Sequence, residues 1–281
     1  MTLPNFLVIG AMKAGTTSLY NYLRAHPQVF MPAEKAPRFF TAEHNWDRGV
    51  GWYEGFFEPA EDAIARGEAS VTYSAFPNFR DVPCRISQTL PDVRFVYLVR
   101  EPVDRMISHL WMDVRQGDLE RPASVAAVER DLLTKPRFVN GSRYRLQVEQ
   151  YLEFFPRDRL LLVKSEDLRS DREPTLRRVF EFLGVDPDVS VDVGHEWNAG
   201  KEDRRKRRAE GKLRRIPGYG LLAEASPEPL RRLKRDLMKQ RIPRRPVVSG
   251  ETRHELEDRV RDDVRRLYEF MGPAFDGWGI A

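Results

Sequence analysis

Short apolar runs alternate with amphipathic stretches along most of the chain. Runs rich in Val, Leu, Ile or Phe at 5–10, 93–99 and 159–163 predict buried strands, and 67–72 is a weaker fourth. Helical periodicity predicts helices over 17–24, 103–116, 143–155, 173–183, 227–239 and 251–271. Strands that alternate with helices are typical of βαβ units, so the pattern predicts an α/β fold with a central, mostly parallel sheet flanked by helices.

Two segments interrupt this pattern. Residues 31–60 are dense in aromatic side chains, and residues 186–226 combine several glycines with a basic run at 201–215. Long irregular excursions in compact domains often form binding loops or lids. The aromatic segment therefore predicts either the lining of an acceptor cleft or a satellite hydrophobic cluster. The basic run predicts a solvated face, a nucleic-acid-binding arm or a lid over an anionic ligand.

Length and composition narrow the classes of protein. With 281 residues and neither an internal repeat nor a long linker, residues 1–281 are predicted to form a single domain. No apolar stretch is long enough to span a bilayer, and the first strand begins too early to leave room for a signal peptide. Cys84 is the single cysteine, which excludes an internal disulfide and a cysteine-based metal cluster. The predicted location is the cytoplasm.

The loop after the first strand, in FLVIGAMKAGTTS, has the features of an anion site. Gly10 and Gly15 have the spacing of a nucleotide-binding P-loop, and glycines let backbone N–H groups approach a phosphate closely. The following helix adds its positive end and the hydroxyls of its first residues. A P-loop nucleotidase would have lysine at position 16, but this chain has Thr16 there and Lys13 inside the loop. An ammonium at 13 is placed to stabilise a leaving phosphate without an obligatory metal.

A second constellation follows the strand at 93–99. It reads R-x-P-x-x-R-x-x-S, with Arg100 at the carboxyl end of the strand and Pro102 near the first helical position. The helix places Arg105 and Ser108 three residues apart on one face. An arginine and a hydroxyl beside a helix start predict a second anion site. Two anion sites at one sheet edge suit a nucleotide phosphorylated at both its 5′ and 3′ positions.

With these motifs the sequence resembles the sulfotransferases that use PAPS (3′-phosphoadenosine 5′-phosphosulfate), especially their bacterial and heparan-sulfate branches. The likeness spans nearly the whole chain and implies a single P-loop-like domain. The resemblance of KAGTTSL to the family's 5′-phosphosulfate loop implies cofactor contacts from Lys13, Ala14, Gly15, Thr16, Thr17 and Ser18. REPVDRMISH resembles the 3′-phosphate motif and implies contacts from Arg100 and Ser108. NAGKEDRRKRR resembles a basic loop that folds over the nucleotide, which implies Lys201 or Arg204 near the 3′-phosphate.

The family reaction implied by this resemblance moves a sulfuryl group from PAPS to an acceptor hydroxyl or amine. It leaves 3′-phosphoadenosine 5′-phosphate (PAP) and needs no metal. Lys13 would stabilise the departing phosphate, and a base would take the acceptor's proton. The aromatic segment suggests a small-molecule acceptor, which leaves a secondary metabolite, a sugar and a lipid head group open.

The general base is where the chain departs from the family pattern. Heparan-sulfate-type relatives typically read K-E-P-x-F-F, whereas this chain reads EKAPRFF, with Ala36 at the position of the glutamate. Alanine cannot accept a proton. Glu34, His109 and Glu68 are therefore the leading candidates for the base, with Glu43 and His44 as further ones. A phenolic acceptor, with a pKa near about 10, would need little help from a base.

Two other functions remain as alternatives at this point. One is a P-loop nucleotide kinase or NTPase, which the position of Lys13 and the Arg100–Ser108 pair argue against. The other is nucleic-acid binding through the 201–215 run, which has no interleaved aromatic residues or reader motif. The sequence thus favours an enzyme that binds neither nucleic acid nor metal.

Overall fold

The computed structural model describes residues 2–281 with the exception of 61, 121, 123 and 192–247. A five-stranded sheet has the order β2-β3-β1-β4-β5, and every strand pair in it is parallel. The strands are β1 (Phe6–Gly10), β2 (Val29–Phe30), β3 (Ala65–Ala69), β4 (Arg94–Val99) and β5 (Leu160–Lys164). The predicted parallel α/β sheet is confirmed.

Helices connect and cover these strands. They are α1 (Thr16–Ala25), α2 (Val50–Glu54), α3 (Val82–Thr89), α4 (Pro102–Gln116), α5 (Val125–Thr134), α6 (Pro136–Asn140), α7 (Tyr144–Leu152), α8 (Asp167–Ser170), α9 (Arg172–Leu183) and α10 (Gly250–Met271). Among the residues that the structure describes, no helix is long and apolar enough to cross a membrane.

The core is centred on β1. All five residues of this strand are buried, because it lies between β3 and β4 and has neighbours on both edges. In the register, Phe6 is opposite Gly67 on one side and opposite Arg94 on the other. Since the strands are parallel, the carboxyl ends of β1, β3 and β4 meet at one edge, where ligands of such sheets bind.

Several boundaries differ from those that the sequence predicts. The weak strand expected at 67–72 is β3, which begins at Ala65 and ends at Ala69, and a 3-10 turn over Val71–Ser74 follows it. The two-residue β2 and the helices α2, α3, α5, α6 and α8 were not predicted. The helix expected over 227–239 lies outside the described residues, as does most of the basic segment at 186–226.

Candidate active site

The loop between β1 and α1 requires glycine at both of its glycine positions. Gly15 has a φ of 95°, in the left-handed region, and immediately precedes α1. A Cβ on Gly10 would lie 2.0 Å from Oγ of Ser74, which donates a hydrogen bond of 2.7 Å to the carbonyl of Ile9. Ser74 therefore packs against the start of the loop. Lys13 has a φ of 75°, a backbone conformation that residues other than glycine rarely adopt.

The start of α1 is arranged to receive an anion. Among the described residues, no side chain caps this helix, and Thr16 and Ser18 are buried in its first turn. Nζ of Lys35 lies 2.7 Å from Oγ1 of Thr17 and 3.4 Å from Oγ1 of Thr16. Two lysines from different segments are thus near the start of α1: Lys13 in the loop before it and Lys35 in contact with its first turn. The sequence does not indicate this role for Lys35, because Lys35 stands outside the two anion-site motifs.

Arg100 brings the second predicted motif to the loop. Its Nη1 donates to the carbonyl of Lys13 at 3.3 Å, and its Nη2 lies 3.7 Å from a carboxylate oxygen of Asp104. Its backbone is fixed by Tyr144, whose hydroxyl donates to the carbonyl of Arg100 at 2.6 Å. The structure therefore brings Lys13 and Arg100 together at the carboxyl ends of adjacent strands, as the motifs predict.

The start of α4 is occupied by a carboxylate, in contrast to the start of α1. Glu101 accepts hydrogen bonds from the backbone N–H groups of Val103 and Asp104 at 3.1 and 2.6 Å. An anion near this helix would therefore meet side chains rather than the helix end. Ser108 lies on the buried part of α4 and is 1% exposed.

Arg105 does not point toward solvent but joins α4 to the loop. Its fully buried guanidinium donates to the carbonyl of Met12, the carbonyl of Phe138 and the hydroxyl of Ser142. Removing this group would leave three acceptors without a donor, which is costly in a buried site. Arg105 is therefore a structural link between the two anion-binding elements.

His109 lies next to this link. Its Nδ1 is 3.4 Å from Nη1 of Arg105, and its Nε2 is 3.6 Å from a carboxylate oxygen of Asp113. Burial, together with the positive charges of Arg105, Arg137 and Lys13, lowers the pKa of His109 to about 2. The imidazole is thus neutral, its Nδ1 faces a guanidinium donor, and it binds protons weakly.

Glu68 is a fully buried carboxyl on β3. Its Oε1 accepts a hydrogen bond of 3.4 Å from Tyr53, whereas its Oε2 has no hydrogen-bond partner within the described part of the chain. Burial raises its pKa to about 7, although the hydroxyls of Tyr73, Ser70 and Tyr53 and the charge of Lys35 oppose this rise. A carboxyl that titrates near neutral pH is suited to proton transfer.

The remaining predicted site residues have less informative surroundings. Glu34 is exposed, two residues before the half-buried Ala36. Lys201 and Arg204 lie outside the described residues. Among the described residues, no cluster of three or more His, Cys, Asp or Glu is arranged to hold a metal ion.

The aromatic segment at 31–60 packs mainly on itself. Its fully buried members are Phe39, Phe40, Tyr53 and Phe57. Phe39 stacks on Tyr53 with ring centres 4.5 Å apart, and Tyr53 also contacts Phe57 edge-on at 5.4 Å. The half-buried members, Trp46, Trp52 and Phe56, surround this cluster. The four buried rings thus form the satellite hydrophobic cluster that was one of the two alternatives. Within the aromatic segment, only the three half-buried side chains are accessible enough to contact an acceptor.

Comparisons with known proteins match most of the chain to one family. Residues 3–202 match the model of the sulfotransferase domain family. Mouse heparan sulfate glucosamine 3-O-sulfotransferase 3A1 is 28% identical over 98% of this chain and 64% of its own length. Human bifunctional heparan sulfate N-deacetylase/N-sulfotransferase 3 is 30% identical over 66% of this chain and 23% of its own length. The chain thus spans less than two thirds of these curated relatives.

Among solved structures, a sulfotransferase from Alicyclobacillus acidocaldarius has the same fold. It superposes with a TM-score of 0.70 at 23% identity, and the superposition covers 99% of this chain and 100% of that chain.

Proposed function

Because the chain belongs to the sulfotransferase domain family, we propose that it transfers the sulfuryl group of PAPS to a hydroxyl, or an amine, of a small molecule, a sugar or a lipid head group. The observation that carries the proposal is the convergence of Lys13, Lys35 and Arg100 on the loop before α1. Three cations beside an uncapped helix start suit a ligand with several negative charges. A kinase-type loop would have its lysine at position 16, which is Thr16 here.

The residues of the loop would hold the 5′-phosphosulfate. The first N–H groups of α1, the hydroxyls of Thr16, Thr17 and Ser18, and the ammonium of Lys13 supply its donors. Ala14 and Gly15 contribute backbone only. Arg100 and Ser108 would hold the 3′-phosphate, and Lys201 or Arg204 would add to that site.

PAPS would supply the transferable group. The acceptor oxygen would form a bond to sulfur, while the bond from sulfur to the 5′-phosphate oxygen breaks and its electron pair goes to the phosphate. The proton of the acceptor would go to a base. The ammonium of Lys13 stabilises the charge that develops on the phosphate.

For the base we propose Glu68 in place of Glu34 or His109. Burial raises the pKa of the Glu68 carboxyl to about 7, and its Oε2 has no hydrogen-bond partner in the described part of the chain. The backbone N–H of Ala69 donates to the carbonyl of Lys35 at 3.1 Å, so Ala36 lies alongside the strand end that carries Glu68. A carboxylate from β3 would thus replace the one that relatives place at position 36. Glu68 is fully buried, so the acceptor reaches it only after neighbouring side chains move.

Ligand-dependent thermal stability tests the function. PAP is expected to stabilise the chain without magnesium, by about 2.7 kcal/mol at a concentration of 100 times its Kd. ATP or duplex DNA should stabilise it much less.

Arg100→Ala should weaken the binding of PAP but leave the binding of 5′-AMP nearly unaffected, because a contact to a charged phosphate is worth roughly 1.5–3 kcal/mol. Stabilisation by ATP equal to that by PAP, or binding of PAP that EDTA abolishes, would contradict the proposal.

A further inference from the structure

The ammonium of Lys35 reaches the phosphosulfate loop from the side opposite to Arg100. In the sheet, β3 and β4 flank β1 on its two edges. Arg100 follows β4 and contacts the carbonyl of Lys13. Lys35 follows β2, pairs through its carbonyl with the end of β3, and contacts the hydroxyls at the start of α1. The two cations therefore bracket the loop along the width of the sheet.

This placement gives a direction to the bound nucleotide, on the basis of the proposed function. If the 3′-phosphate lies at Arg100 and the 5′-phosphate lies at the start of α1, the sulfuryl group extends toward the β3 side. Lys35 is a cation on that side, and its ammonium contacts the start of α1. We propose that Lys35 is a catalytic residue whose ammonium contacts the oxygens of the transferred sulfuryl group, whereas Lys13 acts on the leaving phosphate.

The surroundings of Lys35 hold its ammonium in this position. Thr17 accepts a hydrogen bond from it at 2.7 Å, and Thr16 lies 3.4 Å away. The buried carboxyl of Glu68 interacts electrostatically with Lys35 from the β3 side. The backbone on both sides is fixed as well, because Tyr20 donates to the carbonyl of Pro32 and the N–H of Arg38 donates to Ser70. A lysine held from several directions loses little side-chain entropy when a ligand binds.

A cation at the sulfuryl oxygens has a specific thermodynamic consequence. PAPS and PAP differ only by the sulfuryl group, so a residue that contacts this group discriminates between them. A cation that contacts the 5′-phosphate favours PAP, whose 5′-phosphate carries the additional negative charge left by the departing sulfuryl group, and a residue that merely holds the loop affects both ligands alike. The ratio of the two affinities therefore separates the proposed role from a structural one.

The experiment measures Kd for PAPS and for PAP by titration calorimetry, without acceptor, for wild type, Lys35→Met and Lys35→Gln. We expect either substitution to weaken PAPS at least tenfold and PAP less than twofold, and to lower kcat at least tenfold. Lys35→Arg should restore part of the selectivity for PAPS because it keeps the charge. Lys135→Met is the matched control, since Lys135 forms an ion pair with Asp131 on another part of the surface.

Three results would overturn the assignment. A loss for PAP larger than that for PAPS would place Lys35 at the 5′-phosphate, and equal losses for the two ligands would assign it to support of the loop. Unchanged affinities would show that Lys35 does not contact the bound nucleotide. PAP binding by the variants also reports that they are folded, and Lys35→Gln serves if Lys35→Met does not fold. Failure of the wild type to bind either ligand would instead contradict the proposed function itself.

Discussion

Glu68 is the residue on which the proposed proton transfer depends. Its carboxyl lies on a buried strand, and its pKa of about 7 follows mainly from the loss of hydration. A general base contributes about 10²–10⁴-fold to the rate of a reaction. Glu68→Gln is therefore expected to lower kcat about 100-fold or more toward an alkyl hydroxyl while the Kd of PAP stays unchanged. In the wild type, kcat should rise with pH through about 7, and this limb should be missing in Glu68→Gln.

A second substitution makes this test more stringent. Ala36→Glu in the Glu68→Gln background places a carboxylate where the resemblance implies that relatives have one, so part of the lost activity should return. Glu34→Gln is the control at an exposed carboxyl and should leave kcat unchanged. If Glu68→Gln keeps the wild-type kcat and pH profile, the base is another residue or the acceptor is acidic enough to need none.

The same carboxyl makes the stability of the fold depend on pH. Its pKa is raised from an ordinary value of 4.5 to about 7 in the folded chain, so the folded state binds this proton more tightly than the unfolded state. The contribution is complete below about pH 4.5 and is lost as the pH rises to about 7, by about 3 kcal/mol in total. Denaturant titrations at pH 5 and pH 8 should show this loss in the wild type.

Glu68→Gln removes the titration and is the variant that checks its origin. Between pH 5 and pH 8, the free energy of unfolding should fall less in this variant than in the wild type, and the difference between the two proteins should be about 3 kcal/mol. The charged neighbour is Lys35. The titratable neighbours are the buried Tyr53, Tyr73 and Tyr151, and burial raises the pKa of each of these tyrosines well above 10. A parallel pH dependence in both proteins would assign the effect to other groups.

At the scale of elements, the contact between β1 and β3 depends on the absence of a side chain at Gly67. A Cβ there would lie 2.3 Å from the ring of Phe6, its partner in the strand register. Gly67→Ala is therefore expected to destabilise the fold by about 1–3 kcal/mol, because an overpacked core must displace a buried ring. Gly51→Ala is the matched control: no atom lies within 4 Å of its added Cβ, and alanine favours the helix α2. Equal effects of the two substitutions in denaturant titrations would contradict this account of the contact.

The strands and helices with strong periodic patterns were predictable from the sequence, whereas β2, α2, α3, α5, α6 and α8 were not. Runs such as FLVIG are buried on both faces, so a continuous apolar sequence is enough to predict the strand. The two-residue β2 has too little sequence to form a pattern, and β3 contains Arg66 and Glu68, which weaken its apolar character. The family was identified from the loop and the R-x-P-x-x-R-x-x-S motif, and the match over residues 3–202 confirms it.

The site was predictable where a motif is local and not where it depends on tertiary contacts. The sequence places Lys13 beside the helix start and Arg100 at a strand end, and the structure brings them together. The sequence does not reveal that Arg105 would be fully buried, since its partners Met12, Phe138 and Ser142 are distant in the chain. The contact of Lys35 with Thr17 likewise joins the segment after β2 to α1, and no motif in the sequence relates these two positions. The cap of Glu101 on α4 is local, through the N–H groups of Val103 and Asp104, and was not predicted.

At the scale of the whole molecule, α10 packs on the helices around the site although it lies beyond the matched family range. Asp263 on α10 accepts hydrogen bonds from the backbone N–H groups of Arg145 and Leu146 in the first turn of α7, both at 2.9 Å. Arg253 on α10 pairs with Asp104, the residue that also faces Arg100. The C-terminal helix is therefore connected to α7 and to the proposed 3′-phosphate site.

These contacts predict that the chain unfolds as one domain. Leu256 on α10 is fully buried, so Leu256→Ala should cost about 2–5 kcal/mol and lower the Tm of the single transition rather than split it. Arg265→Ala, at a side chain 63% exposed on the same helix, should change the stability by less than about 0.5 kcal/mol. PAP should raise the Tm of both variants, because neither residue contacts the proposed site and a cooperative unit is stabilised as a whole by its ligand. Calorimetry that resolves two transitions, only one of which responds to PAP, would instead divide the chain into two domains.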